Sequence, residues 1–197
     1  ALRRYNTDYG VIELKPRFDW SQDGGLSGAA EMCNGAGVCR KEGGGTMCPS
    51  FMATRDERHS TRGRANSLRL AMSGKLPDAM SNDDLHDIFS LCLSCKACKS
   101  ECPSSVDVAK MKAEFLATRY DEKGTPLTAQ IFGNIHRINK LGSLMPRLSN
   151  FFLSNPIGLA GAKLIGLPTE RPLPTFAKKR FSQSTTHQNK TSAKATL

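Results

Sequence analysis

The sequence predicts a mostly α-helical chain, and three observations predict it. Apolar residues recur at helical spacing in three separate stretches, two of them opened by a capping residue. Glycine and cysteine concentrate between those stretches, which makes the intervening segments loops. Pro126, Pro146 and Pro156 then break a long helical pattern into short pieces.

Taken in order, residues 1–31 read as extended, with YGVIEL a short strand and DGGLSG a flexible turn. Tyr9 and Trp20 are expected to pack at a domain boundary. Residues 32–49 form a Gly-rich loop holding Cys33, Cys39 and Cys48. Glycine there permits positive φ and lets backbone N–H groups aim at sulfur. RGRANSLRLAMSG places Ala65, Leu68 and Met72 on one face and stops at Gly74, with Ser60 or Thr61 as N-cap. NDDLHDIFSLC aligns Leu85, Ile88, Phe89 and Cys92 behind an Asn or Asp cap. Asp83 and Asp84 are first-turn helix charges rather than an acid/base pair. His86 falls on the polar face of that helix. SSVDVAKMKAEFLATRYDEKG aligns Val108, Met111 and Phe115 and stops at Gly124. From about Gly166 the chain turns Pro-rich, then polar and basic, as a linker or disordered tail does. The boundaries that follow are 1–31, 32–125, 126–168 and 169–197.

Net charge is +10, from 28 Lys and Arg against 18 Asp and Glu. Nucleic acid is the first partner such a balance suggests. The aromatic residues are few and not interleaved with the basic ones, and no nucleic-acid motif occurs, so that class is set aside. No apolar run reaches the ~18 residues of a membrane span. FFLSNPIGLAGAKLIGLP, from Phe151, is interrupted by Asn155, Pro156 and Lys163 and reads as a packing or docking segment, ahead of a membrane-surface helix.

The seven cysteines are an odd set, clustered, and unlike a disulfide framework. Thiols kept free for metal imply a reducing compartment, hence the cytoplasm. Cys92, Cys95, Cys98 and Cys102, followed by Pro103, form C-x2-C-x2-C-x3-C-P. In bacterial-type ferredoxins the first three cysteines of such a run hold one iron–sulfur cluster and the fourth crosses to another. Cys48 is followed by Pro49 and takes the crossing role toward Cys92, Cys95 and Cys98. By the same logic Cys102 crosses toward Cys33 and Cys39. Those two match the first and third positions of a run whose middle position is Ala36.

The count gives four thiols for a 4Fe–4S cluster and three for a second site. The second site is left open between a 3Fe–4S cluster, a 4Fe–4S cluster with His59 or Asn34 as fourth ligand, and an empty structural site. Eight residues separate Cys39 from Cys48, more than the usual three. Arg62 and Arg64 open a helix beside the first loop. They read either as cofactor-binding charges that offset an anionic cluster or face a flavin domain, or as a solvated helix start. Lys96 and Lys99 flank the second loop, where they either tune a potential or serve solubility.

CPSFMATRDERHSTRGRANSLRLAMSG, LCLSCKACKSECPSSVDVAKMKAEFLA and CNGAGVCRKEGGGTMCPS together resemble the iron–sulfur segment of large FAD-linked oxidases. The likeness is to the bacterial D-2-hydroxyglutarate dehydrogenase type, including the missing middle cysteine. It covers roughly residues 3–180. More distantly the chain is similar to the iron–sulfur subunits of glycolate oxidase and anaerobic glycerol-3-phosphate dehydrogenase, which carry two full cysteine runs. The resemblance implies an α-helical ferredoxin-like domain over residues 32–125. It implies that residues 1–31, with RRYNTDYGVIELKPRFDW, are a junction from an upstream FAD domain.

The partners it implies are that FAD-binding domain and a downstream cysteine-rich domain, neither in this sequence. The implied role is to carry electrons from reduced flavin toward an acceptor, through which any membrane association would run. A zinc-stapled interaction module and a stand-alone ferredoxin are the competing readings. Iron–sulfur protein is brown and zinc protein colourless, and the junction-like opening argues against a free-standing ferredoxin.

Overall fold

The computed structural model describes residues 10–177 except 13, 76, 77, 79, 168 and 171, and only the backbone of residue 75. It divides into two compact units, Ala1–Gly124 and Thr125–Leu197. Among the described residues every regular element is helical.

The first unit holds α1 (Gly25–Glu31), α2 (Pro49–Thr54), α3 (Thr61–Leu70), α4 (Asp83–Ser90), α5 (Ala97–Glu101) and α6 (Val108–Lys123). Side-chain caps explain the longer starts. Ser60 Oγ accepts the Gly63 N–H at 2.9 Å, Asn82 Oδ1 accepts the Asp84 N–H at 2.8 Å, and Asp107 Oδ1 accepts the Lys110 N–H at 3.0 Å. Gly124 closes α6. A π-type turn, Ala71–Lys75, follows α3 and contains Gly74.

Phe89 of α4 stacks on Phe115 of α6 with centroids 5.3 Å apart. Around that pair, Leu68, Met72, Leu85, Val106, Val108 and Met111 complete a core that continues into Cys33, Cys39, Cys48 and Cys98. The thiol-bearing loops are thus part of the core, with helices α3 and α6 as its walls.

The N-terminal segment departs from the sequence reading in three ways. Residues 10–12 and 14 form no strand; the Ile12 N–H donates to the Met72 carbonyl at 2.8 Å. DGGLSG is ordered, as the end of a 3-10 turn, Ser21–Asp23, and the start of α1. Trp20 is buried in the core of this unit rather than at a domain boundary. Its Nε1–H donates to Glu114 Oε2 at 3.0 Å, and Glu114 also accepts the Arg17 and Phe18 N–H groups at 2.7 and 3.0 Å. One buried carboxylate therefore fastens the whole approach segment to α6. Tyr9 and the tail from Lys178 lie outside the described residues.

The second unit contains α7 (Leu127–Gly133), α8 (Ile135–Gly142), α9 (Pro146–Ser154) and α10 (Pro156–Leu164). Pro126 caps α7, and Pro146 and Pro156 occupy the first turns of α9 and α10, where a missing N–H is no loss. Among its described residues only Ala162 is buried. No helix of the described residues is long and apolar enough to cross a membrane.

Candidate metal centres

Cys48, Cys92, Cys95 and Cys98 line one pocket. Cys33, Cys39 and Cys102 line a second. Cys48 reaches the first from the α2 entrance, and Cys102 reaches the second from the end of α5. Met47 and Thr61 line both pockets, so the two share a wall. All seven thiols are free; Cys95 is exposed, Cys92 and Cys102 are half-buried, and the rest are buried.

Positive φ shapes both loops. Gly35 and Gly37 lie at 82° and 77°, and Ser94 and Lys96 at 53° and 60°. Such turns point consecutive N–H groups toward one side, where an anion can be held.

Three helix starts are aimed at three thiols. The Arg62 N–H of α3 donates to Cys39 Sγ at 3.4 Å. Backbone N–H groups of Val108 and Ala109 in α6 serve Cys98, and that of Phe51 in α2 serves Cys48. These unpaired N–H groups favour thiolate over thiol. Burial raises the Cys98 and Cys39 thiols above their ordinary value, opposed by those N–H groups. At Cys48 burial also pushes upward. Here the Ser50 hydroxyl, the Phe51 N–H and the Arg64 charge outweigh it, and the thiol is lowered.

The two arginines behave differently. Arg62 lines the three-thiol pocket, and its Nε pairs with Glu57 Oε1 at 2.7 Å. Arg64 lines the four-thiol pocket and is only 1% exposed. Its Nε donates to the Ile88 carbonyl at 2.9 Å and its Nη1 to the His59 carbonyl at 2.6 Å, with Cys48 Sγ at 3.5 Å. Its Nη2 is buried with no hydrogen-bond partner. A guanidinium is always charged, so this orphaned N–H fits a pocket built around an anion.

The remaining predicted residues fall outside the thiol sets. His59 lines neither pocket; its Nδ1 lies 2.9 Å from Thr54 Oγ1. Asn34 lines the three-thiol pocket, with its Oδ1 accepting the Ala36 N–H at 3.0 Å. Lys96 lines the four-thiol pocket and sits 3.7 Å from Asp107.

Two residues escaped sequence reasoning. Glu101 accepts from Lys41 Nζ at 2.6 Å and from the Thr46 N–H at 2.8 Å, with the Thr46 hydroxyl also bound. It thereby clamps the long Cys39–Cys48 segment against α5. Gly63 lets α3 approach Glu57 so closely that a Cβ would collide with the Glu57 carbonyl. An acid just before the C-P step was the only sequence signal for the first, and R-G-R at a helix start for the second.

Among the described residues no three His, Cys, Asp or Glu side chains gather around a single ion position. A tetrahedral zinc takes four sulfurs at about 2.3 Å from one centre. An iron–sulfur cluster instead spreads its cysteines over separate irons. Thiols ranged around a pocket wall, N–H groups aimed at sulfur and a buried cation suit the second arrangement.

Residues 32–107 match the family model of the 4Fe-4S dicluster domain. All seven cysteines of the two thiol-lined pockets lie within the matched residues. The chain is also similar to D-2-hydroxyglutarate dehydrogenases. With that of Pantoea ananatis it shares 30% identity over 203 residues, covering 80% of this chain and 19% of the relative. With that of Escherichia coli it shares 26% over 187 residues, covering 72% of this chain and 18% of the relative. With that of Pseudomonas putida the figures are 28% over 140 residues, 54% and 14%. The chain thus spans about a fifth or less of the length of the curated relatives it matches. No solved structure matches.

Proposed function

We propose that this chain is the electron-carrying segment of an FAD-linked D-2-hydroxy acid dehydrogenase of the D-2-hydroxyglutarate type. Cys48, Cys92, Cys95 and Cys98 hold a 4Fe–4S cluster, and Cys33, Cys39 and Cys102 hold a 3Fe–4S cluster. The observation that carries this reading is the pair of thiol-lined pockets with the shared Met47–Thr61 wall. The three-iron assignment is supported by Ala36, which has no donor atom, and by His59, which faces Thr54.

Oxidising a 2-hydroxy acid to a 2-oxo acid releases two electrons and two protons. A flavin on another domain of the polypeptide takes both. Bound clusters supply one-electron redox chemistry. This chain's residues would hold them in two pockets that share Met47 and Thr61, keep water off the buried thiolates, and aim N–H groups and charge at sulfur. The partners are the FAD-binding domain, the cysteine-rich domain and an external electron acceptor, and the location is the cytoplasm.

The test is iron and acid-labile sulfide per chain after anaerobic reconstitution, with EPR before and after dithionite. About seven irons, with an oxidised-state 3Fe–4S signal and a second signal on reduction, is the expected result. About four irons would leave the three-thiol pocket structural. Stoichiometric zinc without sulfide would overturn the reading.

A further inference from the structure

We propose that Arg64 is a built-in counter-charge for the four-thiol pocket, donating its Nη2–H to the cluster there and holding that cluster's reduction potential up. This rests on the reading above that the pocket takes a cluster. Arg64 is buried, and the partners of its other nitrogens are the neutral Ile88 and His59 carbonyls and the Cys48 sulfur. No carboxylate offsets its charge among the described residues, and both N–H groups of Nη2 remain unspent on a side chain that lines the pocket. A buried unpaired cation is strongly destabilising, so the arrangement is balanced only when an anion fills the pocket. The two carbonyls hold the planar guanidinium in one orientation, which fixes the directions of the spare Nη2 N–H groups.

Reduction adds negative charge to the cluster, and a fixed neighbouring cation favours that state. At the other pocket Arg62 is 27% exposed and ion-paired with Glu57, which also pairs with Arg40. Arg64 differs in being buried with no carboxylate partner among the described residues.

The experiment compares the full chain with Arg64→Met and Arg64→Lys after anaerobic reconstitution. Iron and sulfide are counted first, then the signal that appears on reduction is followed in an EPR-monitored redox titration. In Arg64→Met the reduced-to-oxidised ratio at the wild-type midpoint falls about tenfold, equivalent to 59 mV for one electron. Arg64→Lys, which keeps the charge, recovers most of that ratio. A fully loaded Arg64→Met with an unshifted midpoint overturns the counter-charge and leaves the cluster assignment standing. A wild-type chain that takes up no iron or sulfide overturns both.

Should neither Arg64 variant load, the decisive measurement uses arginine guanidinium 15N in an Arg62→Lys chain with Arg64 intact. A 15N coupling to the reduced cluster in pulsed EPR is expected, and a loaded cluster without that coupling sinks the proposal. If the Arg62→Lys chain does not load, the labelled wild-type chain is read instead, at a potential where only the reduction-dependent signal contributes.

Discussion

Counted from its first cysteine, the loop from Cys33 and the loop from Cys92 follow the same backbone plan. Gly35 and Gly37 fall opposite Ser94 and Lys96, and all four have positive φ. The first loop meets that requirement with glycine. The second does so with side chains that cost roughly 1–2 kcal/mol each in the left-handed region. A shape retained at that cost is one the thiols require. Two differences remain. Ala36 stands where the other loop has Cys95, and a clamped excursion joins Cys39 to Cys48 where the short helix α5 joins Cys98 to Cys102. The backbone for a middle ligand survives in the first loop without the ligand.

Removing the ligand that only the second loop has should produce the largest effect. In Cys95→Ser the four-thiol cluster is expected to be lost or reduced to three irons, with most of the reduction-dependent EPR signal gone. Unchanged iron and spectra would remove Cys95 from the ligand set. The reverse substitution, Ala36→Cys, completes the first loop. Iron is expected to rise by about one per chain and the oxidised-state signal to vanish. A variant that keeps that signal would show that the backbone likeness stops short of a ligand site.

Gly63→Ala disturbs the start of α3, which carries Arg62 at the three-thiol pocket and Arg64 at the four-thiol pocket. The added Cβ forces the start of α3 away from Glu57 and carries the Arg62 N–H off Cys39. A stability loss of about 1–3 kcal/mol in denaturant titration is expected, and the oxidised-state signal should broaden more than the other.

Glu101→Gln loosens the excursion and gives the smallest effect. The Lys41 ammonium, followed by the Thr46 hydroxyl and N–H, lowers the Glu101 carboxyl to about 2. Its contribution is therefore fully present above the ordinary carboxylate range and lost as pH falls through about 2. Melting curves of the metal-free chain should show wild type above the variant at neutral pH, with the gap closing below about pH 4. A gap independent of pH would mean the clamp works without its charge.

Much of the first unit was legible because its signals are local. Ser60 and Asn82 precede their helices directly, and the two cysteine–proline steps mark where the chain crosses between pockets. What was missed depends on distant partners. DGGLSG reads as a turn by its glycines, and burial of Leu26, Ala29 and Ala30 makes its second half the start of helix α1. Trp20 finds Glu114 far along the chain. Arg64 carries a residue type that normally stays in water, and no spacing rule announces its burial. Glu101 shows the same limit, since Lys41 and Thr46 reach it only after both loops have folded.

Cys95 is the exposed member of the seven thiols, and it stands beside Leu93, which is 71% exposed. Whatever comes to the four-thiol pocket from solution meets that corner first, whether a redox partner, a chelator or dioxygen. Fast exchange with a partner and vulnerability to air are then two readings of one opening. Damage in air is expected to start with loss of the iron at Cys95, and alkylation of the metal-free chain to mark that thiol before the buried ones.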